Sequence, residues 1–303
     1  MSFKVIGVGE VLWDLLPSGP QLGGAPANFA YHARQLGAQA RVISRVGNDD
    51  WGRRILQHFD EMGLGGDTIQ VDERHPTGTA RVTLGENGVP QFILDRSVAW
   101  DFIAVTEAAR KAVAEADAVC FGSLAQRSES SAGAIRQLVS SAPAGAIKIF
   151  DINLRQNFFT LPLIVQSLEM AGVLKLNEEE LAALARMFHL TGADRRKIEE
   201  LARRFTLRAV ALTRGGNGSL LWHSGNWSEL PGEPVKVVDT VGAGDAFSAG
   251  LTMGWLHGLS LEKAHQLAAT LASFVCSQPG AMPKLPEAFR RALAETPASK
   301  ARH

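Results

Sequence analysis

Residues 26–63 read PANFAYHARQLGAQARVISRVGNDDWGRRILQHFDEMG, and this stretch sets the pattern of the whole chain. Pro26–Leu36 carries apolar side chains at helical spacing, with a proline at its start and Gly37 after its end. Arg41–Val46 is a β-branched run typical of a strand. Asp50–Met62 again has one apolar face before a glycine, which predicts a second helix. Helix, strand and helix in this order indicate an α/β fold.

The same alternation extends along the chain. Phe3–Val8 predicts a first strand, and further strands separated by helical stretches are predicted at Ala118–Phe121, Ile147–Asp151, Val173–Leu176 and Ala209–Thr213. Alternating strands and helices form βαβ units, so we expect a mainly parallel sheet. The chain has 303 residues and no recognisable linker or repeat, so we expect a single domain over residues 1–303.

The composition excludes several classes of protein. Apolar residues make up 46% of the chain and charged residues 20%, which is enough for a substantial core. Lys and Arg number 31, as do Asp and Glu, so there is no excess of basic charge and no nucleic-acid partner is expected. No apolar run reaches the length of about 18 residues that a membrane span needs, so no membrane partner is expected.

Two features favour the cytoplasm. The N-terminal segment has no basic stretch followed by an uninterrupted apolar run, because Glu10 and Asp14 interrupt its apolar character. Cys120 and Cys276 both lie within apolar runs, so we interpret them as buried core thiols rather than as a disulfide.

One region breaks the alternation. Thr79–Leu84 and Pro90–Leu94 predict two strands that no helix separates, and the sequence Asn87-Gly88 predicts the hairpin turn between them. Such a hairpin within a parallel α/β chain commonly forms a flap or an interface. We therefore expect a small β lid formed by roughly residues 10–20 and 77–101, whose strands could pair two copies into a homodimer.

Polar or small residues follow the ends of the later strands. They lie at Ser123, Asp151–Arg155, Asn177–Glu180 and Thr213–Gly218. In open parallel sheets, ligands bind beyond the carboxyl ends of the strands. We therefore expect these residues to gather around one crevice.

Residues 237–247 read VVDTVGAGDAF and lead from a β-rich run through two glycines into an apolar helical stretch. The amides of Gly242, Ala243 and Gly244 would point outward from a helix N-terminus, where unsatisfied donors and partial positive charge favour a phosphate. Asp245 in the first turn is either a helix cap or a base. The flanking glycines favour the functional role.

Other phosphate-binding and catalytic patterns are missing from the sequence. There is no Gly-x-x-x-x-Gly-Lys-Ser/Thr loop, and Phe247 stands where a dinucleotide fingerprint has its third glycine. There is no Gly-x-Ser-x-Gly nucleophile elbow, and the histidines lack zinc-ligand spacing. We expect neither covalent catalysis nor a zinc site.

Four further positions could contact ligands. Gly23–Asn28 lets a backbone approach a ligand closely, although it also reads as a loop before a helix. Asp14 lies in an apolar run and needs a partner or a ligand hydroxyl. Asn177–Glu180 opens a helix, where acidic residues suit the dipole, so only Asn177 and one glutamate need a further role, such as binding magnesium through water. Thr213–Gly218 reads equally as a tight turn.

Four of these motifs together resemble the ribokinase-like, or PfkB, carbohydrate kinases. Residues 237–247 are similar to the family's Asp-Thr-x-Gly-Ala-Gly-Asp-x-Phe signature, and Gly23–Asn28 to its Gly-Gly-x-x-x-Asn. Asn177–Glu180 is similar to Asn-x-x-Glu and Thr213–Gly218 to Thr-x-Gly-x-x-Gly, and the four occur in the family's order. The resemblance implies a three-layer α/β/α sandwich with a small β lid, which binds ATP and a sugar.

The resemblance also implies a role for each matched residue. It makes Asp245 the general base and the amides of Gly242, Ala243 and Gly244 an anion hole, which are the groups that phosphoryl transfer needs. The remaining implied roles are these: sugar contacts from Asp14, Gly24, Asn28, Arg96, Asn153 and Arg155; ATP contacts from Asn177, Thr213, Gly215 and Gly218; Mg²⁺ held through water by Glu180; and K⁺ bound by Asp239, Val241 and Gly280.

The resemblance leaves more than one sugar substrate open. Gly9–Asp14, Gly23–Asn28 and the Asp151-x-Asn153-x-Arg155 pattern are most similar to the fructokinase branch, which implies phosphoryl transfer from ATP to fructose O6. Arg96 and Arg155 could also bind the carboxylate of a sugar acid, which keeps 2-keto-3-deoxygluconate kinase open, with ribokinase and nucleoside kinases behind it. A non-catalytic sugar or nucleotide sensor on the same fold is the alternative from another class.

Overall fold

The computed structural model of the protein describes residues 2–16, 19–84 and 90–294. Its strands are Lys4–Val8 (β1), Leu12–Leu16 (β2), Gly19–Gly23 (β3), Gln39–Gly47 (β4), Ile69–Asp72 (β5), Gly78–Leu84 (β6), Pro90–Leu94 (β7), Ala118–Phe121 (β8), Ile147–Asp151 (β9), Val173–Asn177 (β10), Ala209–Thr213 (β11), Ser219–His223 (β12) and Asn226–Leu230 (β13). Its α-helices are Ala25–Gln35 (α1), Asp50–Met62 (α2), Glu107–Ala114 (α3), Glu129–Ser141 (α4), Leu161–Met170 (α5), Glu178–Phe188 (α6), Asp194–Phe205 (α7), Ala243–Leu256 (α8), Leu261–Cys276 (α9) and Glu287–Ala294 (α10). The predicted alternation is confirmed.

Local sequence explains where the early helices begin and end. The carboxylate of Asp49 accepts a hydrogen bond from the amide of Gly52 and caps α2, and Gly63 ends it in the left-handed conformation. A proline in the first turn of α1 fits its missing amide hydrogen. The predicted bounds of both helices therefore agree with the structure to within one residue.

Within the described residues, nine strands form one sheet in the order β13-β12-β11-β10-β9-β8-β1-β4-β5. The pairs from β5 across to β11 are parallel, and β12 and β13 add an antiparallel edge. In this register Val5 of β1 lies beside Ala40 on one side and Ala118 on the other. The sheet is mainly parallel, as predicted.

Helices cover both faces of this sheet. Successive side chains of a strand point to opposite faces, so Ile6 and Val8 pack in the core under α3 to α7. Val5 packs in the second core, under α1, α2, α8, α9 and α10. The result is a three-layer α/β/α arrangement with an apolar core on each side of the sheet.

A second, smaller sheet has the order β3-β2-β6-β7. The predicted hairpin strands are confirmed, since β6 and β7 pair antiparallel with Ala80 opposite Leu94. The predicted Asn87-Gly88 turn lies outside the described residues. Residues 95–101 add no strand to this sheet, and Ala99–Phe102 form a single 3₁₀ turn instead. Across the described ranges, no helix combines the length and the apolar character required to cross a bilayer.

Candidate active site

A cleft of about 1170 Å³ lies beyond the carboxyl ends of the parallel strands. All four sequence motifs line it. The sequence-predicted residues in its lining are Asp14, Gly24, Asn28, Asn153, Arg155, Asn177, Glu180, Thr213, Gly215, Gly218, Val241, Gly242, Ala243, Gly244 and Asp245. The predicted crevice is therefore present, and it brings together segments that are up to about 230 residues apart in sequence.

The N-terminus of α8 opens into the cleft. Gly242 precedes the helix with a left-handed φ of 77°, and a Cβ there would lie 2.7 Å from the Cβ of Ala281. Only glycine fits this backbone and this space without strain. The first turn of a helix has amides without intrahelical partners, so the amides of Gly242, Ala243 and Gly244 are suited to binding an anion, although that of Ala243 also donates to the Thr240 carbonyl at 3.4 Å.

Asp245 lies in that first turn but does not cap the helix, since α8 has no side-chain cap. The capping interpretation is therefore wrong. Its Oδ2 accepts a hydrogen bond of 2.7 Å from Nδ2 of Asn28. Burial, and then the charge of Asp151, raise the pKa of Asp245 to about 7, while Lys175 and Asn28 act in the opposite direction. A carboxylate with this pKa can accept a proton near neutral pH.

A buried ion pair lies behind Asp245. The ammonium of Lys175 on β10 is 3.1 Å from Oδ1 of Asp151 on β9. Ser248 of α8 donates a hydrogen bond of 2.8 Å to the other oxygen of Asp151. Sequence reasoning missed Lys175, although a lysine inside the apolar run Val173–Leu176 was a detectable signal.

The start of α6 forms a further wall of the cleft. Asn177 and Glu180 form a reciprocal capping box, in which Oδ1 of Asn177 accepts from the amide of Glu180 and Oε2 of Glu180 accepts from the amide of Asn177. Oε1 of Glu180 accepts from the amide of Leu154, 3.0 Å away. Glu180 therefore anchors the loop after β9 as well as the helix. Thr213 ends β11, and Gly215–Asn217 turn the chain into β12.

The candidate metal ligands differ in how well they suit an ion. Within the described ranges, no three His, Cys, Asp or Glu side chains are placed to hold a metal. Each oxygen of Glu180 already accepts one backbone hydrogen bond, so this carboxylate suits contact with a cation through water. Asp239 accepts hydrogen bonds from the amides of Val241 and Gly280, at 3.0 and 3.2 Å. The three predicted potassium ligands are thus neighbours.

A wall of the cleft near β2, which we call the β2 wall, contains Glu10, Asp14, Asn153 and Arg155. Burial raises the pKa of Asp14 to about 6, and the charge of Arg155 opposes this increase. Burial also raises the pKa of Glu10 to about 7. Glu10 is 2% exposed, and its Oε2 has no hydrogen-bond partner among the described residues. Sequence reasoning did not assign Glu10 to the site.

Three other predictions need revision. Arg96 does not line the cleft, because its exposed guanidinium lies over the ring of Phe158, 4.9 Å from the ring centroid. Ser123 is buried below the lining, where its hydroxyl donates to the carbonyl of Asn153. Cys276 is half-buried and lines the cleft, so it is not a core thiol, whereas Cys120 is buried as predicted.

Comparisons with known proteins identify the family. The model of the pfkB family carbohydrate kinases matches residues 20–288. A fructokinase of Escherichia coli is 32% identical over 304 aligned positions, which cover 94% of this chain and 97% of the relative. The chain belongs to the pfkB family of carbohydrate kinases. It is therefore a sugar kinase, and the motif resemblance is confirmed.

Solved structures confirm the ribokinase-like fold of this carbohydrate kinase. A fructokinase with bound ATP from Xylella fastidiosa superimposes with a TM-score of 0.84 at 24% identity, covering 96% of this chain and 98% of that one. A 2-dehydro-3-deoxygluconokinase from Thermotoga maritima also has a TM-score of 0.84, at 20% identity, covering 97% of this chain and 99% of that one. Because the two TM-scores are equal, the fold alone does not indicate which sugar the enzyme uses.

Proposed function

We propose that this carbohydrate kinase transfers the γ-phosphoryl group of Mg-ATP to a primary hydroxyl of a neutral ketose, with fructose O6 as the first choice. The observation that carries the proposal is Asp245, a carboxylate with a pKa of about 7 in the first turn of an anion-binding helix terminus. The E. coli relative named fructokinase supports fructose as the sugar.

The proposed reaction uses the two features of α8 together. The amides of Gly242, Ala243 and Gly244 hold the oxygens of the γ-phosphoryl group and stabilise the negative charge that spreads over them. As the sugar oxygen forms its bond to phosphorus and the bond to the leaving ADP breaks, Asp245 accepts the hydroxyl proton. The sugar phosphate and ADP leave, and Asp245 releases the proton to solvent. No covalent enzyme intermediate is needed.

The charges of the cleft favour a neutral sugar over a sugar acid. Glu10, Asp14 and Asp245 are carboxyl groups, and Arg155 lines the cleft beside them, whereas the ammonium of Lys175 is already paired with Asp151. Arg96, the second arginine that could bind a substrate carboxylate, stacks on Phe158 outside the lining. A sugar acid would therefore place its carboxylate among like charges with one arginine to compensate. Because the guanidinium of Arg155 could bind a substrate carboxylate, 2-keto-3-deoxygluconate is the second candidate substrate.

Two cations complete the proposal. Mg²⁺ would be held by the phosphates of ATP and by water bound to Glu180, and it would supply positive charge to offset that of the phosphates. K⁺ would be held near Asp239, Val241 and Gly280, whose oxygen atoms are the donor type that a hard cation prefers.

ADP release measured across ketoses, aldoses, sugar acids and nucleosides tests the proposal. We expect the highest kcat/KM with fructose and a kcat/KM for 2-keto-3-deoxygluconate at least about tenfold lower, a difference of roughly 1.4 kcal/mol in barrier. A preference for the sugar acid would overturn the neutral-sugar assignment. Binding of ATP without turnover of any compound would favour a non-catalytic sensor.

We further propose that the β3-β2-β6-β7 sheet acts as a lid and pairs two copies of the chain. Support comes from Asp14, which β2 places in the cleft lining, and from Ile93 on edge strand β7, whose side chain is 48% exposed. Sedimentation velocity tests this arrangement. We expect a dimer that Ile93→Glu weakens, and a monomer at all concentrations would contradict it.

A further inference from the structure

Lys175 lies in a central strand, directly below the anion-binding terminus of α8. Lys175 is only 7% exposed, and its strand, β10, lies between β9 and β11 in the sheet. A Cβ on Gly244 would lie 2.5 Å from the Lys175 Nζ, so the ammonium occupies the space that a side chain at position 244 would need. The absence of a Gly244 side chain therefore permits a cation to sit beneath the phosphate-binding amides.

A buried ammonium is unfavourable unless charged partners compensate for the lost water. Burial would lower the pKa of Lys175, but the charges of Asp151, Glu180 and Asp245 outweigh it and raise the pKa, so Lys175 stays cationic. Its direct partner is Oδ1 of Asp151. Asp245 instead bonds to Asn28, so any influence of Lys175 on Asp245 acts through the electric field.

Loss of the Lys175 charge would change the protonation of the carboxyl groups around it. Of the three carboxyl groups that act on Lys175, Glu180 accepts hydrogen bonds from backbone amides, which leaves Asp151 and Asp245 to face the ammonium at the floor of the cleft. Removing Lys175 would leave the two carboxylates to repel each other, and one of them would have to take up a proton. Both carboxyl groups line the cleft, and without Lys175 each keeps one hydrogen-bond donor, Ser248 for Asp151 and Asn28 for Asp245. Burial already raises the pKa of Asp245 to about 7, so we expect Asp245 to take up the proton.

We propose that Lys175 is a positioning residue that keeps Asp245 in its proton-accepting form by balancing the charge of Asp151. The role of Asp245 in this inference rests on the proposed function. Lys175 touches neither the sugar nor the reacting hydroxyl in this role. The Lys175–Asp151 pair thus tunes the base, in addition to joining β9 to β10.

Other charged and titratable groups also lie near Asp245. Arg155 lowers the pKa of Asp245, but its exposed guanidinium is screened by solvent. Burial raises the pKa of the Cys120 thiol well above its usual range, so it stays neutral. Burial also raises the pKa of Glu180, whose oxygens accept hydrogen bonds from backbone amides. Asp151 and Lys175 remain as the pair that sets the balance.

The test compares three variants: Lys175→Met, Asp151→Asn and the double variant. The readout is the acidic limb of the pH profile of kcat/KM at saturating ATP. We expect Lys175→Met to move the acidic limb to higher pH by about one to three pH units, which is the usual effect of one neighbouring charge. We expect Asp151→Asn to move the limb to lower pH. In the double variant the two displacements should largely cancel. Ser248→Ala, which removes a hydrogen bond to Asp151 without changing charge, should leave the limb near its wild-type position.

A second measurement separates this inference from the proposed function. NMR titration of ¹³C-labelled aspartate carboxyls, with the Asp245 signal assigned through Asp245→Asn, needs no substrate. If the wild type phosphorylated no sugar, the proposed function would fail while the titration still tested the charge balance. A rate loss that is equal at all pH values in Lys175→Met, with an unmoved Asp245 titration, would make Lys175 merely structural. If Lys175→Met did not fold, an unmoved titration in Asp151→Asn would overturn the proposal by itself.

Discussion

The α8 side of the cleft and the β2 wall are built in different ways. The α8 side uses main-chain amides and a carboxylate whose charge partners, Asp151 and Lys175, are anchored in the central sheet. The β2 wall uses Glu10 from the segment before β2, Asp14 from the smaller sheet, and Asn153 and Arg155 from the loop after β9, and Arg155 is exposed to solvent. We therefore expect the chemistry of transfer to depend on groups anchored in the central sheet, and the choice of sugar to depend on peripheral side chains that can change without disturbing that sheet.

Asp245→Asn should have the largest effect of any substitution in the cleft. It removes the proton acceptor and leaves the amides of α8 in place. We expect kcat to fall by about 10²–10⁴, the range for a general base, while ATP affinity changes little. Steady-state kinetics and calorimetric ATP binding check the two halves of this prediction.

Stability provides the control for that variant. The raised pKa of Asp245 means that its ionised form is disfavoured by folding, so its contribution to stability is greatest at low pH and is lost as pH rises through about 7. Asparagine removes the charge and keeps an oxygen for the Asn28 amide. At pH 8 the variant should therefore melt at or above the wild-type temperature. A lower melting temperature together with weak activity would assign the loss to misfolding.

Gly242→Ala tests whether the amides of α8 need their exact backbone path. The new Cβ would approach Ala281 to 2.7 Å at a left-handed φ, so the chain before α8 must move. We expect a loss of about 1–3 kcal/mol in stability and of about 10²-fold in kcat/KM. Gly133→Ala in α4 is the matched control, because among the described residues no atom outside its own helix backbone lies within 4 Å of the new Cβ, and it should stabilise the protein or leave its stability unchanged.

The pH profile of the wild type should show a smaller effect. Asp245 must be ionised to accept a proton, so kcat/KM should rise with pH and level off above the pKa of about 7. The expected gain is about tenfold between pH 6 and pH 8. A profile that is flat from pH 5 to pH 8 would show that Asp245 keeps an ordinary aspartate pKa.

The same contrast explains which parts of the molecule could be predicted. The glycines before Asp245 have a direct local meaning, since a phosphate site at a helix terminus needs small residues at fixed spacing. The alternation of strands and helices likewise gave the parallel sheet. Lys175 and Glu10 were missed because their importance arises from neighbours distant in sequence. Arg96 was assigned to the cleft on motif similarity, but packing against Phe158 turns it away.

Asp14→Asn and Arg96→Ala should have the smallest effects, and they test whether sugar binding depends on a residue inside the cleft lining rather than on one outside it. Asp14 lines the cleft, and replacing its carboxylate weakens hydrogen bonds from sugar hydroxyls, so we expect KM for the sugar to rise by about tenfold with little change in kcat. Arg96 lies outside the lining, so Arg96→Ala should keep KM within about twofold. Initial-rate measurements at saturating ATP compare the two. If Arg96→Ala raised KM as much as Asp14→Asn, Arg96 would have to move into the cleft in the sugar-bound state, and the sugar-contacting surface would extend beyond the β2 wall.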